Sequence, residues 1–165
     1  MSSQRIFTKS SGLSLPRLII LTMFCALLCD QVAHAHPPKH QASIDAAMRV
    51  LDEFMLTFNR RDMQAWAGTL NYPHVRFASG AVKIWPDQQT FEATPPFSAL
   101  AQTGWDHSHW IKREIVMAAA DKVHIATTFE RFNSANESIG RFESLYIVTR
   151  VDERWGIQSR SSLAP

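Results

Sequence analysis

The chain has 165 residues, 17 Lys and Arg against 15 Asp and Glu, and 45% hydrophobic residues. That length fits one domain, and the composition is typical of a globular protein rather than a disordered or fibrous one. The formal net charge of +2 is small, and no basic stripe is visible, so no nucleic-acid partner is expected.

Residues 1–35 carry the three parts of an export signal. Three basic residues come first, and an apolar stretch of eleven residues follows at 18–28. Ala33-His34-Ala35 then offers the small-x-small pattern that a signal peptidase recognises. The apolar stretch would span about half of a bilayer core, so no stable membrane insertion is expected after signal cleavage. We therefore expect a periplasmic or secreted protein.

Removal of this signal peptide would leave a cysteine-free chain with 14 basic and 14 acidic residues. Both cysteines and the excess of positive charge belong to residues 1–35. Fifteen aromatic residues remain, which is a large apolar supply for one compact domain. We expect a flexible lead-in at 36–42 and one folded domain at 43–165.

The first part of this domain predicts helices. Apolar residues from Ile44 to Phe58 recur at spacings of three and four, which is typical of an amphipathic helix, with Ser43 as its N-cap. Asn59-Arg60-Arg61 interrupts the pattern. Asp62 is then expected to cap a second, shorter helix, in a run that Pro73 ends.

The pattern then changes to strands. Residues 75–78 and 81–85 flank a Ser-Gly pair and predict a hairpin, and a third short helix is expected between Pro95-Pro96 and Gly104. From residue 107 onward the period becomes two, which predicts four strands of one curved antiparallel sheet. Their expected ranges are 107–117, 122–132, 140–151 and 154–161.

This order of elements resembles the nuclear-transport-factor-2-like superfamily. The resemblance is carried by FNRRDMQAWAGTL at 58–70, a helix–turn–helix entry before the hairpin, and by YIVTRVDERWGIQSRSS at 146–162, which is similar to the last hairpin of these domains. It implies an α+β, cone-shaped, cystatin-like fold, in which a curved antiparallel sheet wraps around N-terminal helices. The superfamily includes ketosteroid isomerases, scytalone dehydratase, limonene epoxide hydrolase and SnoaL-like polyketide cyclases. No catalytic set of these enzymes can be matched to this sequence, which is most similar to exported bacterial members without an assigned activity.

The same resemblance implies a pocket between the sheet and the first helix. Such a pocket would bind a small, mainly apolar ligand, and the outer face of the sheet would form a homodimer. An enzyme of this kind would perform cofactor-free proton transfer, as in isomerisation, dehydration or cyclisation, with His107, Glu130 or Arg160 meeting inside the pocket. The alternative is a non-catalytic binding or homodimeric assembly module, which would show those groups at its surface.

Two histidines are the candidate catalytic acid or base. His107 and His109 lie two residues apart on one face of the first long strand, and Trp105 on that face is a candidate ligand contact. Such a pair could transfer a proton. A metal would need a third ligand, which no spacing identifies, so no metal site is predicted. The alternative is an exposed strand face.

Tyr72, His74 and Arg76 alternate along the first strand of the predicted hairpin. Val75 and Phe77 between them are expected to face the core. The other three would then face solvent or the mouth of the pocket. Tyr72 and His74 are therefore candidate ligand contacts.

Charged residues late in the strands complete the candidate set. One of Glu130 and Arg131 should point inward near the rim of the cone. An inward Arg160 would pair with an acidic residue, because an unpaired buried charge is too costly. Glu130 and Arg160 could in this way orient a carboxylate or carbonyl group of a ligand. The alternative is a cross-strand salt bridge, for example with Arg141, that only holds the shape of the sheet.

Several chemistries have no residues to support them. Residues 36–165 contain no cysteine for thiol catalysis, no Gly-rich phosphate loop and no dinucleotide fingerprint. They also contain neither a G-x-S-x-G nor an H-E-x-x-H motif. No cofactor is therefore expected.

Overall fold

The computed structural model describes residues 39–78 and 80–164. The signal peptide predicted at 1–35 and the start of the lead-in predicted at 36–42 lie outside the described residues. The first helix begins at Gln41, two residues before the predicted start of the folded domain. Within the described ranges, no helix combines the length and the apolar character needed to cross a membrane.

Two N-terminal helices form where the apolar spacing predicts them. Helix α1 spans Gln41–Asn59, and α2 spans Met63–Gly68. Ser43 is not the N-cap but the third residue of α1, and its hydroxyl donates a hydrogen bond to the carbonyl oxygen of Ala120 at 2.9 Å. Asp62 caps α2 as predicted, because its carboxylate accepts a hydrogen bond from the Ala65 backbone N–H.

The predicted hairpin is present, and its first strand begins early. Strand β1 spans Leu70–Ala78, and β2 spans Ala81–Trp85. Pro73 lies within β1 instead of ending a helix. Gly80 adopts a φ of 73° in the turn, a conformation that glycine accepts without steric cost.

Two short helices and four long strands complete the domain. Their bounds are α3 Gln88–Glu92, α4 Phe97–Gln102, β3 His107–Ala118, β4 Lys122–Phe132, β5 Ser138–Val151 and β6 Arg154–Ser162. Helix α4 and the four strands confirm the predictions made for them. Helix α3 was not predicted, and its N-cap Asp87 accepts a hydrogen bond from the Thr90 backbone N–H.

The six strands form one sheet in the order β2-β1-β6-β5-β4-β3. Every neighbouring pair is antiparallel except β1 and β6, which run parallel. The sheet predicted as antiparallel is therefore mixed at this one junction. The parallel register sets Arg76 directly beside Arg160, although their strands come from opposite ends of the domain.

Helix α1 lies across the concave face of the sheet and buries its apolar side there. Leu51 is 0% exposed and Phe54 is 3% exposed, and burial of each such side chain contributes roughly 1.5–3 kcal/mol. Polar contacts fix the helix, since Trp110 Nε1 donates to the Leu51 carbonyl oxygen at 3.2 Å. The Asn59 amide also exchanges two hydrogen bonds with the backbone of Ser108. This packing positions the cavity described next.

Candidate functional site

A cavity of about 80 Å³ lies between α1, α4 and the concave face of the sheet. A water molecule needs roughly 10–15 Å³ on this scale, so the cavity has room for about half a dozen water-sized volumes. Its apolar wall is mostly aromatic and includes Phe54, Phe58, Trp66, Phe129 and Tyr146. A cavity of this size suits a small organic molecule.

Three arginines from three different strands line this space, which we call the arginine cavity. Arg76 comes from β1, Arg131 from β4 and Arg160 from β6. Arg131 is only 9% exposed. The residues that line the cavity, all of them within the described part of the chain, include no aspartate and no glutamate. The cavity is therefore strongly cationic.

Aromatic rings hold two of these arginines in place. The guanidinium carbon of Arg160 lies 5.4 Å from the centre of the Phe54 ring and 5.9 Å from that of Trp66. The guanidinium carbon of Arg131 lies 4.9 Å from the centre of the Phe142 ring. A ring face attracts a cation, but it does not supply the acceptors that the guanidinium N–H groups require. The arginines are positioned without being fully hydrogen-bonded.

Buried donors without partners line the cavity. The Nε atoms of Arg76, Arg131 and Arg160 and the indole Nε1 of Trp66 have no hydrogen-bond partner among the described residues. An unpaired buried donor costs about 1–3 kcal/mol. Because all four groups are donors, the chemical group that complements the cavity is rich in hydrogen-bond acceptors.

Burial and the charge of Arg160 lower the pKa values of Arg76 and Arg131. Burial lowers the pKa of Arg76 to about 10, and the charge of Arg160 adds to this effect. Burial, followed by the charge of Arg160, also lowers the pKa of Arg131. The groups remain cationic at neutral pH, and like charges that share a low-dielectric space repel one another. An anion in the cavity would relieve that repulsion.

His74 supports the β1–β6 junction and does not line the arginine cavity. The side chain is fully buried, and its Nδ1 lies 3.1 Å from the Ile157 carbonyl oxygen. Because a carbonyl only accepts, Nδ1 carries the proton in this contact. Burial, followed by the charge of Arg160, lowers the pKa of His74 to about 3. The imidazole is therefore neutral at pH 7.

His107 and His109 do not face the cavity but lie on the outer strand face that was considered as the alternative to a catalytic role. Ser108 between them is buried and lines the cavity, and alternation directs the two histidines to the opposite face. The His107 ring stacks on Phe132 with centres 5.3 Å apart, and its Nδ1 lies 3.0 Å from Asp106 Oδ2. The part of the chain that the structure describes has no group of three or more potential metal ligands. The geometry thus gives these histidines no contact with the arginine cavity.

Trp105 and Tyr72, both predicted as ligand contacts, support the cavity from outside its lining. Trp105 is 3% exposed, and its Nε1 donates to the Ser108 hydroxyl at 2.9 Å. The Tyr72 hydroxyl donates to the Ala67 carbonyl oxygen at 3.0 Å, and burial raises the pKa of Tyr72. These contacts fix the neighbouring elements rather than present polar groups to a ligand.

The face of β1 that packs toward the core is the opposite of the predicted one. His74 and Arg76 point inward, whereas Phe77 is 50% exposed. The cause is the position of β1 between β2 and β6, because its register with β6 pairs Arg76 with Arg160 on the cavity side. The expectation that Phe77 faces the core is therefore wrong.

Arg131 and not Glu130 is the inward member of its pair. Glu130 Oε2 forms a salt bridge with Arg141 Nη2 at 3.0 Å, and Glu130 Oε1 accepts a hydrogen bond from the Ser138 hydroxyl. The hydrogen bond from Ser138, followed by that from Arg141, lowers the pKa of Glu130. This is the cross-strand salt bridge considered as the alternative. Arg160 does face the pocket, but without the acidic partner that was expected there.

Arg76 and Arg131 are the two cavity arginines that were not singled out as binding residues from the sequence. For Arg131 a signal was present. Val123, Ile125 and Phe129 are buried, and strict alternation along β4 places Arg131 on the same face. For Arg76 alternation left solvent and the mouth of the pocket open, and the pairing of β1 with β6 decides for the cavity.

The sheet wrapped around α1 is the cystatin-like fold of NTF2-like proteins. An NTF2-like protein of unknown function from Shewanella oneidensis superposes with a TM-score of 0.61, at 14% identity over 74% of this chain and 99% of its own. A Nostoc punctiforme protein of unknown function with a cystatin-like fold has a TM-score of 0.62, at 12% identity over 76% and 92%. A ketosteroid isomerase-like protein from Erwinia carotovora has a TM-score of 0.57, at 16% identity over 76% and 99%. Identities this low establish the fold alone.

The family follows from the sequence. A search of curated proteins found no match to this chain. A family model described as NTF2-like protein (DUF6841), however, matches residues 45–164. The chain belongs to this family. The resemblance predicted from residues 58–70 and 146–162 is confirmed.

Proposed function

We propose that this protein binds a small organic carboxylate in the arginine cavity. The observation that carries the proposal is the set of inward arginines whose Nε donors lack partners among the described residues, in a cavity lining without an acidic side chain. Arginine pairs with carboxylates through two parallel N–H···O bonds, which suits this donor-rich space. The aromatic wall around the arginines suits the hydrocarbon part of such a ligand.

The arrangement supports binding more than proton transfer. An acid or base must lie within hydrogen-bond reach of the ligand. His107 and Glu130, expected to converge with Arg160 in an enzyme, lie on the opposite face of the sheet. Within the described residues, no imidazole and no carboxylate lines the cavity. Binding is therefore the function that the geometry favours.

Butanoate and its neutral isostere butanamide test this proposal. Butanoate has about six non-hydrogen atoms and matches the cavity in size. A hydrogen bond to a charged group is worth roughly 1.5–3 kcal/mol, so butanoate is expected to bind at least about tenfold more tightly than butanamide. Isothermal titration calorimetry at neutral pH measures both affinities, and added salt should weaken only the binding of butanoate.

Substitution of Arg160 by methionine locates this binding. Arg160→Met is expected to weaken butanoate binding by about tenfold or more, because one charged donor group is lost. Arg49→Met removes an exposed arginine of α1 and is expected to bind as the wild type does. Equal affinities for butanoate and butanamide, or equal effects of the two substitutions, would contradict the proposal.

A homodimer is a second candidate, favoured by one surface feature. Phe77, Val82 and Ile84 are 50%, 59% and 64% exposed, and the β1–β2 register places them on the outer face of the sheet. Exposed apolar groups gathered in this way are typical of an interaction site. We propose that a second copy of this chain covers this outer patch, in keeping with the predicted homodimer.

Sedimentation velocity tests the dimer. Val82→Lys is expected to shift the protein from dimer to monomer, because it places a charge in the centre of the outer patch. Val151→Lys, at another exposed valine, is the matched control and should leave the sedimentation coefficient unchanged. A wild-type protein that sediments as a monomer at all concentrations would rule out the dimer.

A further inference from the structure

The arginine cavity adjoins a larger groove. The groove has a volume of about 440 Å³ and lies between β2, α3 and the start of α4. Trp66, Arg76, Pro96 and Arg160 line both spaces. The two arginines that stand in register at the β1–β6 junction therefore form the boundary between the cavity and the groove.

The far wall of this groove is apolar and well fixed. The Trp85 ring packs edge-on against Phe91, with centres 5.2 Å apart, and its Nε1 donates to the Thr94 hydroxyl at 2.9 Å. Besides Arg76 and Arg160, Lys83 is the third positively charged residue that lines the groove. Among the described residues that line it, none is acidic. The groove thus offers aromatic surface beside a cationic entrance.

We propose that the ligand is an amphipathic carboxylate, with its carboxylate at Arg76 and Arg160 and its apolar body in the groove. This inference rests on the proposed function. It follows from the sizes of the two spaces, because the cavity accepts about six non-hydrogen atoms whereas the groove accepts several times as many. Both spaces meet at the same two arginines, so one molecule can reach both.

A series of linear carboxylates from butanoate to octanoate tests the inference. If the groove takes the apolar body, each added methylene should improve the affinity by up to about fourfold. Octanoate should then bind about tenfold to a hundredfold more tightly than butanoate. Isothermal titration calorimetry on the full domain measures each dissociation constant.

Thr90→Trp separates the groove from the cavity. Thr90 lies on α3, is exposed and lines only the groove, so an indole there should fill the groove without disturbing the core. The variant is expected to bind butanoate as the wild type does and to lose the advantage of octanoate. Gln89→Trp, on the same helix and outside both linings, is the matched control and should keep that advantage.

The outcomes are distinguishable. If octanoate binds no more tightly than butanoate, or keeps its advantage in Thr90→Trp, the groove does not hold the ligand and the inference is overturned. If neither carboxylate binds the wild type, the proposed function itself fails. If Thr90→Trp loses the advantage of octanoate while Gln89→Trp keeps it, and both variants still bind butanoate, both proposals are supported.

Discussion

Replacement of Arg131 by methionine is expected to stabilise the ligand-free protein and to weaken carboxylate binding. Arg131 is 9% exposed, its Nε has no partner among the described residues, and it shares the cavity with Arg76 and Arg160. A buried, incompletely paired charge is destabilising, and an apolar side chain of similar length removes that cost. We expect the free energy of unfolding to rise by about 2 kcal/mol. Urea denaturation with and without butanoate measures both effects.

A control separates this effect from a general benefit of removing charge. Arg49→Met lies on the exposed face of α1, where surface substitutions usually change stability by less than about 0.5 kcal/mol. It should also leave the stabilisation by butanoate unchanged. A destabilised Arg131→Met protein that still responds fully to butanoate would show that the arginine serves packing and not a ligand.

The second large effect expected is a loss of stability in mild acid that depends on His74. Burial and the charge of Arg160 lower its pKa in the folded protein to about 3, against an ordinary value of 6.5. Between these values the unfolded chain binds the extra proton and the folded protein does not, so acid favours unfolding. Stability is fully present above pH 6.5 and decreases as the pH falls. From pH 7 to about pH 4.5, this residue alone should lower the free energy of unfolding by about 2–3 kcal/mol.

His74→Gln tests the assignment of this pH dependence. Glutamine does not titrate, and its amide retains a donor for the Ile157 carbonyl oxygen that His74 Nδ1 contacts. Urea denaturation at several pH values should show a flatter profile for this variant, even if its stability at pH 7 is lower. His109→Gln, at an exposed histidine, should retain the full decrease because His74 remains in place. Parallel profiles for the wild type and His74→Gln would refute the assignment.

The elements that were predicted well are those with long local patterns. Helix α1 and strands β3 to β6 each extend over nine residues or more, so a period of 3.6 or 2 repeats several times. Helix α3 has five residues, too few for any period to emerge. The parallel pairing of β1 with β6 joins distant segments and leaves no local trace, which is why the sheet was predicted as wholly antiparallel.

The candidate site was predicted only in part, because orientation depends on context. Trp105 was placed on the same strand face as His107 and His109, but it precedes β3, which begins at His107. Its burial therefore does not fix the faces of the strand residues that follow. Phe77 was expected in the core because it is apolar and alternates with polar residues. Its side chain is in fact half exposed on the outer face of the sheet. The inward position considered for Arg160 is found, although a register shift between Ile157 and Ser159 interrupts the alternation of β6.

The β1–β6 junction also makes the site part of the domain's cooperative structure. In the described sheet, β1 and β2 are joined to the other strands only through β6, and that junction carries Arg76 and Arg160 side by side. A carboxylate held between the two guanidinium groups would bind only while the hairpin remains docked. Undocking of the hairpin and release of the ligand would then be one linked equilibrium, in which slower hydrogen exchange of β1 amides accompanies binding.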